Sequence, residues 1–117
     1  MKTGTDTVEV SRFIRAVTRN HGKLKERLFT SEELFHNPDN RDLAVMFSAK
    51  ESIAKALGTG FGPSLSWHDI QIFISGSSVE TQLSGAALDL AGKNKIYISA
   101  AWGEHISFTF ALLTERE

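Results

Sequence analysis

From about Arg41 onward Leu43, Met46, Phe47, Ile53, Ala54 and Leu57 recur at helical spacing, and the pattern stops at Gly58. A glycine can end a helix in the left-handed conformation without the steric cost that a Cβ brings. Beyond it the period falls to two: Ile70, Ile72 and Ile74 alternate with Gln71 and Phe73, and residues 79–83 can pair back across Ser75-Gly76-Ser77-Ser78. Two more strands are predicted near 95–101 and 105–113, turning at Trp102-Gly103-Glu104, with Phe108 and Phe110 read as core residues of the last one. At the front, 5–10 reads as a strand and Ser11 as the cap of a helix that runs to about Asn20, where His21-Gly22 breaks it. Shorter helices are expected around 24–29, after Thr30, whose spacing to Glu33 is that of a capping box, and over 86–91. Helices and strands are partly segregated. The expected class is therefore α+β, a small antiparallel sheet packed against a long central helix.

A chain of 117 residues with no repeat, linker or low-complexity tract is expected to be one domain, 1–117. Its 41% apolar and 23% charged residues are ordinary for a folded soluble protein. No apolar run approaches the roughly 18 residues of a membrane span, and the first residues lack the apolar stretch of a secretory signal, so a cytoplasmic address is expected. The absence of cysteine rules out disulfide scaffolds and thiolate metal sites. The net charge of −1 conceals an asymmetry: Arg12 to Arg27 holds six basic residues and one acid, whereas 28–117 holds six basic and eleven acidic. A basic front end suits an acidic protein, a phosphate-rich ligand or nucleic acid, and it equally suits a solvated helix face. Nucleic acid is the weakest of these, because stacking aromatics are sparse and no recognised binding motif is present.

Phe47, Glu51 and Lys55 are spaced by four, so an apolar ring, a carboxylate and an ammonium share one side of the central helix as it approaches Gly58-Thr59-Gly60. Taken alone, Glu51 and Lys55 are more often a surface ion pair, and the glycine loop more often a helix terminator with a mobile turn. The loop follows a helix rather than a strand and lacks a Gly-Lys-Ser/Thr ending, which excludes a nucleotide-binding P-loop. His21, His36, His68 and His105 have no recognised metal spacing.

The order of these segments is more informative than any one spacing. Gly4-Thr5-Asp6-Thr7-Val8-Glu9, then Phe29-Thr30 with Glu32-Glu33, then Phe47-Ser48-Ala49-Lys50-Glu51-Ser52-Ile53-Ala54-Lys55-Ala56-Leu57-Gly58-Thr59-Gly60, and last Trp67-His68-Asp69-Ile70, together resemble the holo-acyl-carrier-protein synthase family across nearly the whole chain. The resemblance implies a phosphopantetheinyl transferase that moves the arm of coenzyme A onto a serine of an acyl carrier protein or carrier domain. It implies Mg²⁺ held by Asp6 and Glu51, with Glu51 as candidate acceptor of the serine proton and Lys55 stabilising phosphate charge. Coenzyme A would lie near Phe47, Lys55 and Gly58-Thr59-Gly60, with Ser99 matching a serine of the family's late Ser-x-Ser-His segment. Arg12, Arg15 and Arg19 would face the acidic carrier. The resemblance further implies a homotrimer with its clefts between subunits, serving fatty acid synthesis.

Three positions depart from that pattern. Met46 stands where the family has arginine, Ala100 where it has histidine, and Gly76-Ser77-Ser78 where it has Gly-Lys-Pro or Gly-Arg-Pro. Beside the transferase, the sequence therefore leaves a second reading: a paralogue that binds coenzyme A or a carrier without transfer.

Overall fold

The computed structural model describes residues 1–115. Strand β1 (Lys2–Glu9) leads directly into α1 (Val10–Thr18), so Ser11 lies inside the helix rather than capping it, and the residue at the cap, Glu9, makes no side-chain capping bond. Asn20 and His21 both take positive φ, which ends α1 early in a 3₁₀ turn over Asn20–Gly22. Two short helices follow, α2 (Lys23–Leu28) and α3 (Ser31–Phe35), the second closed by the Thr30/Glu33 capping box. The central helix α4 (Asn40–Leu57) opens on a further capping box, Asp39 with Asp42, and ends at Gly58 with φ of 90°. A 3₁₀ turn at Trp67–Asp69 then delivers the hairpin β2 (Ile70–Ser75) and β3 (Ser78–Leu83), with Ser77 exposed at its tip. Helix α5 (Gly85–Ala91) and strands β4 (Lys95–Trp102) and β5 (Ile106–Thr114) complete the described chain.

The strands form two antiparallel sheets, a three-stranded one ordered β1-β5-β4 and the two-stranded β2-β3 hairpin. Helix α4 crosses the inner face of the larger sheet and also packs on β2, so it is enclosed along most of its length. Between Leu43 and Leu57 every residue is buried except Phe47, Glu51 and Lys55. The stripe picked out by spacing is therefore the one open line on the helix. Met46, one residue away, is buried in the core beside Ile72 and Glu33, so the residue at this position faces away from the open stripe.

The approach of sheet to helix is close. A Cβ on Gly4 would collide with the Ser52 carbonyl oxygen and come within 2.8 Å of the Ala56 nitrogen. Small side chains are needed on the inner face as a result, and in β5 these are Ser107, Thr109 and Ala111, all buried. Because neighbouring residues of a strand point to opposite faces, Phe108 and Phe110 are turned outward, 44% and 36% exposed, rather than into the core as the sequence suggested. Tyr97 and Ile106, 49% and 54% exposed, join them on the outer face. No helix among the described residues is long and apolar enough to cross a membrane.

Candidate active site

Register places Asp6 of β1 beside Thr109 of β5, which in turn faces Ala100 of β4. All three side chains lie on the face toward α4, where the open stripe carries Glu51 and Lys55. Lys55 does not pair with Glu51 along its own helix. Its Nζ reaches across to donate to Asp6 Oδ1 at 3.1 Å and to the Thr5 carbonyl at 2.9 Å. The second carboxylate oxygen, Asp6 Oδ2, is buried and has no hydrogen-bond partner among the described residues. Burial first, and then the negative charge of Asp6, push the Glu51 carboxyl above its ordinary pKa, against a smaller opposing pull from Lys55.

A carboxyl held protonated more readily by its carboxylate neighbour, and that neighbour with an idle buried oxygen, form a site short of positive charge. Among the described residues no third histidine, cysteine or acid completes a protein metal cage here. That donor set fits Mg²⁺, which takes oxygen ligands and is commonly held by one or two carboxylates together with substrate phosphate and water. It does not suit an ion that needs a full set of protein ligands.

Aromatic rings extend from the stripe. Phe47 stacks on Trp67 at 5.4 Å, Trp67 on Phe61 at 3.7 Å, and Phe13 of α1 closes on Phe47 at 5.1 Å. With Val8, Leu24 and Leu28, the rings of Phe13, Phe47 and Trp67 line a cavity of about 570 Å³ that Arg12 and Arg27 also border. The loop after α4 carries Gly58 and Gly60 at φ of 90° and 62°, where side chains are strained, with open space around both Cα atoms. Arg12 and Arg15 are exposed on α1, and Arg19 follows it, its Nε donating to the Arg15 carbonyl. Ser99 is the one candidate that the fold sets apart. It pairs with Phe110 on the outer face, opposite to Asp6 and Glu51.

Sequence reasoning missed the anchor behind this site. Lys50 is fully buried and its ammonium donates to Glu33 Oε1 at 2.8 Å, to the Trp67 carbonyl at 3.0 Å and to the Ile70 carbonyl at 2.5 Å. Glu33 is as buried, and accepts from the backbone nitrogens of Thr30 and Ile72, each at 2.9 Å. Burial pushes the Lys50 ammonium below its ordinary pKa, and Glu33 partly restores it. The pair fastens α3, α4 and the turn that presents Trp67 to Phe47. The signal was the capping-box glutamate, whose Oε1 serves both the cap and Lys50 and whose Oε2 is left for the Ile72 N–H.

The pattern of the 4′-phosphopantetheinyl transferase superfamily matches residues 2–104. Holo-acyl-carrier-protein synthases of Chlamydia pneumoniae and Geotalea daltonii are each 34% identical, over 82% and 95% of this chain and the same shares of theirs. This chain belongs to the holo-acyl-carrier-protein synthase family. The synthase of Neisseria meningitidis shares the fold with a TM-score of 0.83 at 28% identity, covering 98% of both chains. That of Helicobacter pylori, solved in complex with coenzyme A, has a TM-score of 0.83 at 25% identity and covers 96% of this chain and 99% of its own. Holo-acyl-carrier-protein synthases are phosphopantetheinyl transferases, so membership makes this chain an enzyme of that class.

Proposed function

We propose that the chain transfers 4′-phosphopantetheine from coenzyme A to the serine hydroxyl of an apo acyl carrier protein in a Mg²⁺-dependent reaction. The serine oxygen bonds to the β-phosphorus, the bond from that phosphorus to the bridging oxygen breaks, and 3′,5′-ADP leaves. The observation that carries this reading is the cluster of Asp6, Glu51 and Lys55, with one buried carboxylate oxygen unpartnered among the described residues, on the same open stripe of α4 as Phe47, which lines the aromatic cavity.

Asp6, through Oδ2, and Glu51 would hold the ion, which offsets diphosphate charge when bound. Lys55, freed from Asp6, is long enough to turn its ammonium to the departing phosphate. Glu51 is the candidate base for the serine proton, since the burial that raises its pKa also strengthens it as an acceptor. Phe47 and the Gly58-Thr59-Gly60 loop border the coenzyme, the glycines leaving the backbone open to close approach.

Arg12, Arg15 and Arg19 form the carrier-facing surface. Reversing Arg12 and Arg15 to glutamate is expected to raise KM for an acidic carrier by about 10-fold or more while kcat changes little, because rim charges steer encounter rather than chemistry. Carrier-dependent release of 3′,5′-ADP measures this, and an unchanged KM would remove the arginines from the interface.

Ser99 supports an assembly. It lies beside Tyr97, Phe108 and Phe110 on an outer face more apolar than a solvated sheet face needs to be. A second copy packed there would let Ser99 serve its neighbour's cleft, as expected of a homotrimer with sites between subunits. Light scattering is expected to give three times the chain mass, with Phe110→Asp reducing it to one. A wild-type monomer contradicts the arrangement.

The departures at Met46 and Ala100 are compatible with transfer. Met46 fills the core rather than the cleft, and Ala100 is two strands from Asp6, roughly 10 Å at the usual strand spacing.

A further inference from the structure

The two carboxylates of the proposed centre come from different elements, Asp6 from β1 and Glu51 from α4, and a site of this kind works only if their separation is held. Beneath them lies a set of hydroxyls that has no part in the chemistry proposed above. Thr109 Oγ1 donates to the Ser48 carbonyl at 2.9 Å. The same oxygen lies 2.9 Å from Ser48 Oγ and 2.5 Å from Ser52 Oγ. Since its single proton goes to the carbonyl, Thr109 Oγ1 is left to accept. Ser48 divides its one proton between Thr109 Oγ1 and the Asp6 carbonyl at 3.3 Å, and Ser52 divides its own between Thr109 Oγ1 and the Thr109 carbonyl at 3.2 Å. All three residues are fully buried.

Three buried hydroxyls are an expensive way to fill a helix–sheet contact that alanine and valine would fill without polar atoms. What hydrogen bonds add, and apolar contacts do not, is direction. Ser48 and Ser52 bracket Glu51 on α4. Thr109 is the register partner of Asp6 in the sheet, and Ser48 holds the Asp6 backbone directly. A slip of α4 along the sheet, which an apolar contact would tolerate, breaks bonds at both ends of the set.

We infer that Thr109 is a positioning residue: through Ser48 and Ser52 it sets the placement of the Glu51 carboxylate relative to Asp6. This rests on the reading of Asp6 and Glu51 as the ion-holding pair. Thr109→Val keeps the shape and removes the hydroxyl, whereas Thr109→Ser keeps the hydroxyl. Two readouts separate positioning from mere stability: the affinity for Mn²⁺ in the presence of 3′,5′-ADP, followed by electron paramagnetic resonance, and the split between kcat and KM in carrier modification with Mg²⁺.

Thr109→Val is expected to weaken Mn²⁺ binding and lower kcat by about 10-fold or more, with KM for coenzyme A within about twofold, the pattern of a displaced reacting group. Thr109→Ser is expected to restore both. A folded Thr109→Val protein that binds Mn²⁺ and turns over like the wild type overturns the inference. Should that variant not fold, Ser48→Ala/Ser52→Ala, which leaves Thr109 bonded to the Ser48 carbonyl, faces the same two readouts, and wild-type values there overturn it equally. A wild-type protein that neither binds Mn²⁺ nor modifies a carrier instead removes the functional reading, and with it the pair that Thr109 is held to position.

Discussion

Glu51→Gln is expected to yield a folded protein whose transfer rate is lower by about 100-fold or more, the usual weight of a positioned general base. In the proposed reaction the substitution removes the charge that would share the ion with Asp6 and the acceptor for the serine proton, and the amide retains the shape. Glu51 is half-buried and sits on the open line of α4, so little stability depends on it. Circular dichroism and kcat measured together check this, and a variant retaining wild-type kcat would show that Glu51 has no part in the reaction. The pH dependence follows from the same environment. Because burial and Asp6 raise the Glu51 pKa, protons compete with the ion up to a higher pH than at an ordinary glutamate. The Mg²⁺ concentration giving half-maximal rate is therefore expected to fall as pH rises through that raised pKa.

Lys50→Met is expected to act on the fold instead. A buried ion pair broken from one side leaves a charge without its partner, a loss of about 3–5 kcal/mol in comparable cases. Here Glu33 would remain buried with its carboxylate, and the carbonyls of Trp67 and Ile70 would lose their donor. That is a large share of the stability of a domain this size. Urea unfolding of the two proteins measures it, and a difference below about 1 kcal/mol, the range of exposed pairs, would contradict the anchoring role. Replacing Glu33 as well would not rescue the protein, because its carboxylate also receives the Thr30 and Ile72 N–H groups.

The central helix and its open stripe were legible in the sequence because a period of 3.6 interrupted at every fourth residue by Phe47, Glu51 and Lys55 has one geometric solution. The capping boxes were partly legible. Thr30 and Glu33 were read from spacing, while the Asp39 and Asp42 pair was not singled out. Phe108 and Phe110 show what periodicity leaves undecided. Alternation states that they share a face, and their hydrophobicity assigned that face to the core. The sheet instead needs small residues where Gly4 brings β1 against the Ser52 carbonyl, so Ser107, Thr109 and Ala111 go inside.

Lys50 was illegible for a different reason. A lysine beside a glutamate on a helix reads as solvated until β2 and the Trp67 turn are known to cover it. The division of Ser99 from Asp6 depends likewise on register between strands at opposite ends of the chain, which no local pattern encodes.

The central claim is that the Asp6, Glu51 and Lys55 cluster is a working transfer centre rather than a binding site. It is tested most directly by the mass of an apo acyl carrier protein incubated with this protein, coenzyme A and Mg²⁺. The account predicts a carrier heavier by one phosphopantetheine at its serine, no shift when Mg²⁺ is chelated, and a much slower shift with Glu51→Gln. Saturable binding of coenzyme A to the wild-type protein with no mass change on several acidic carriers at long incubation would contradict it.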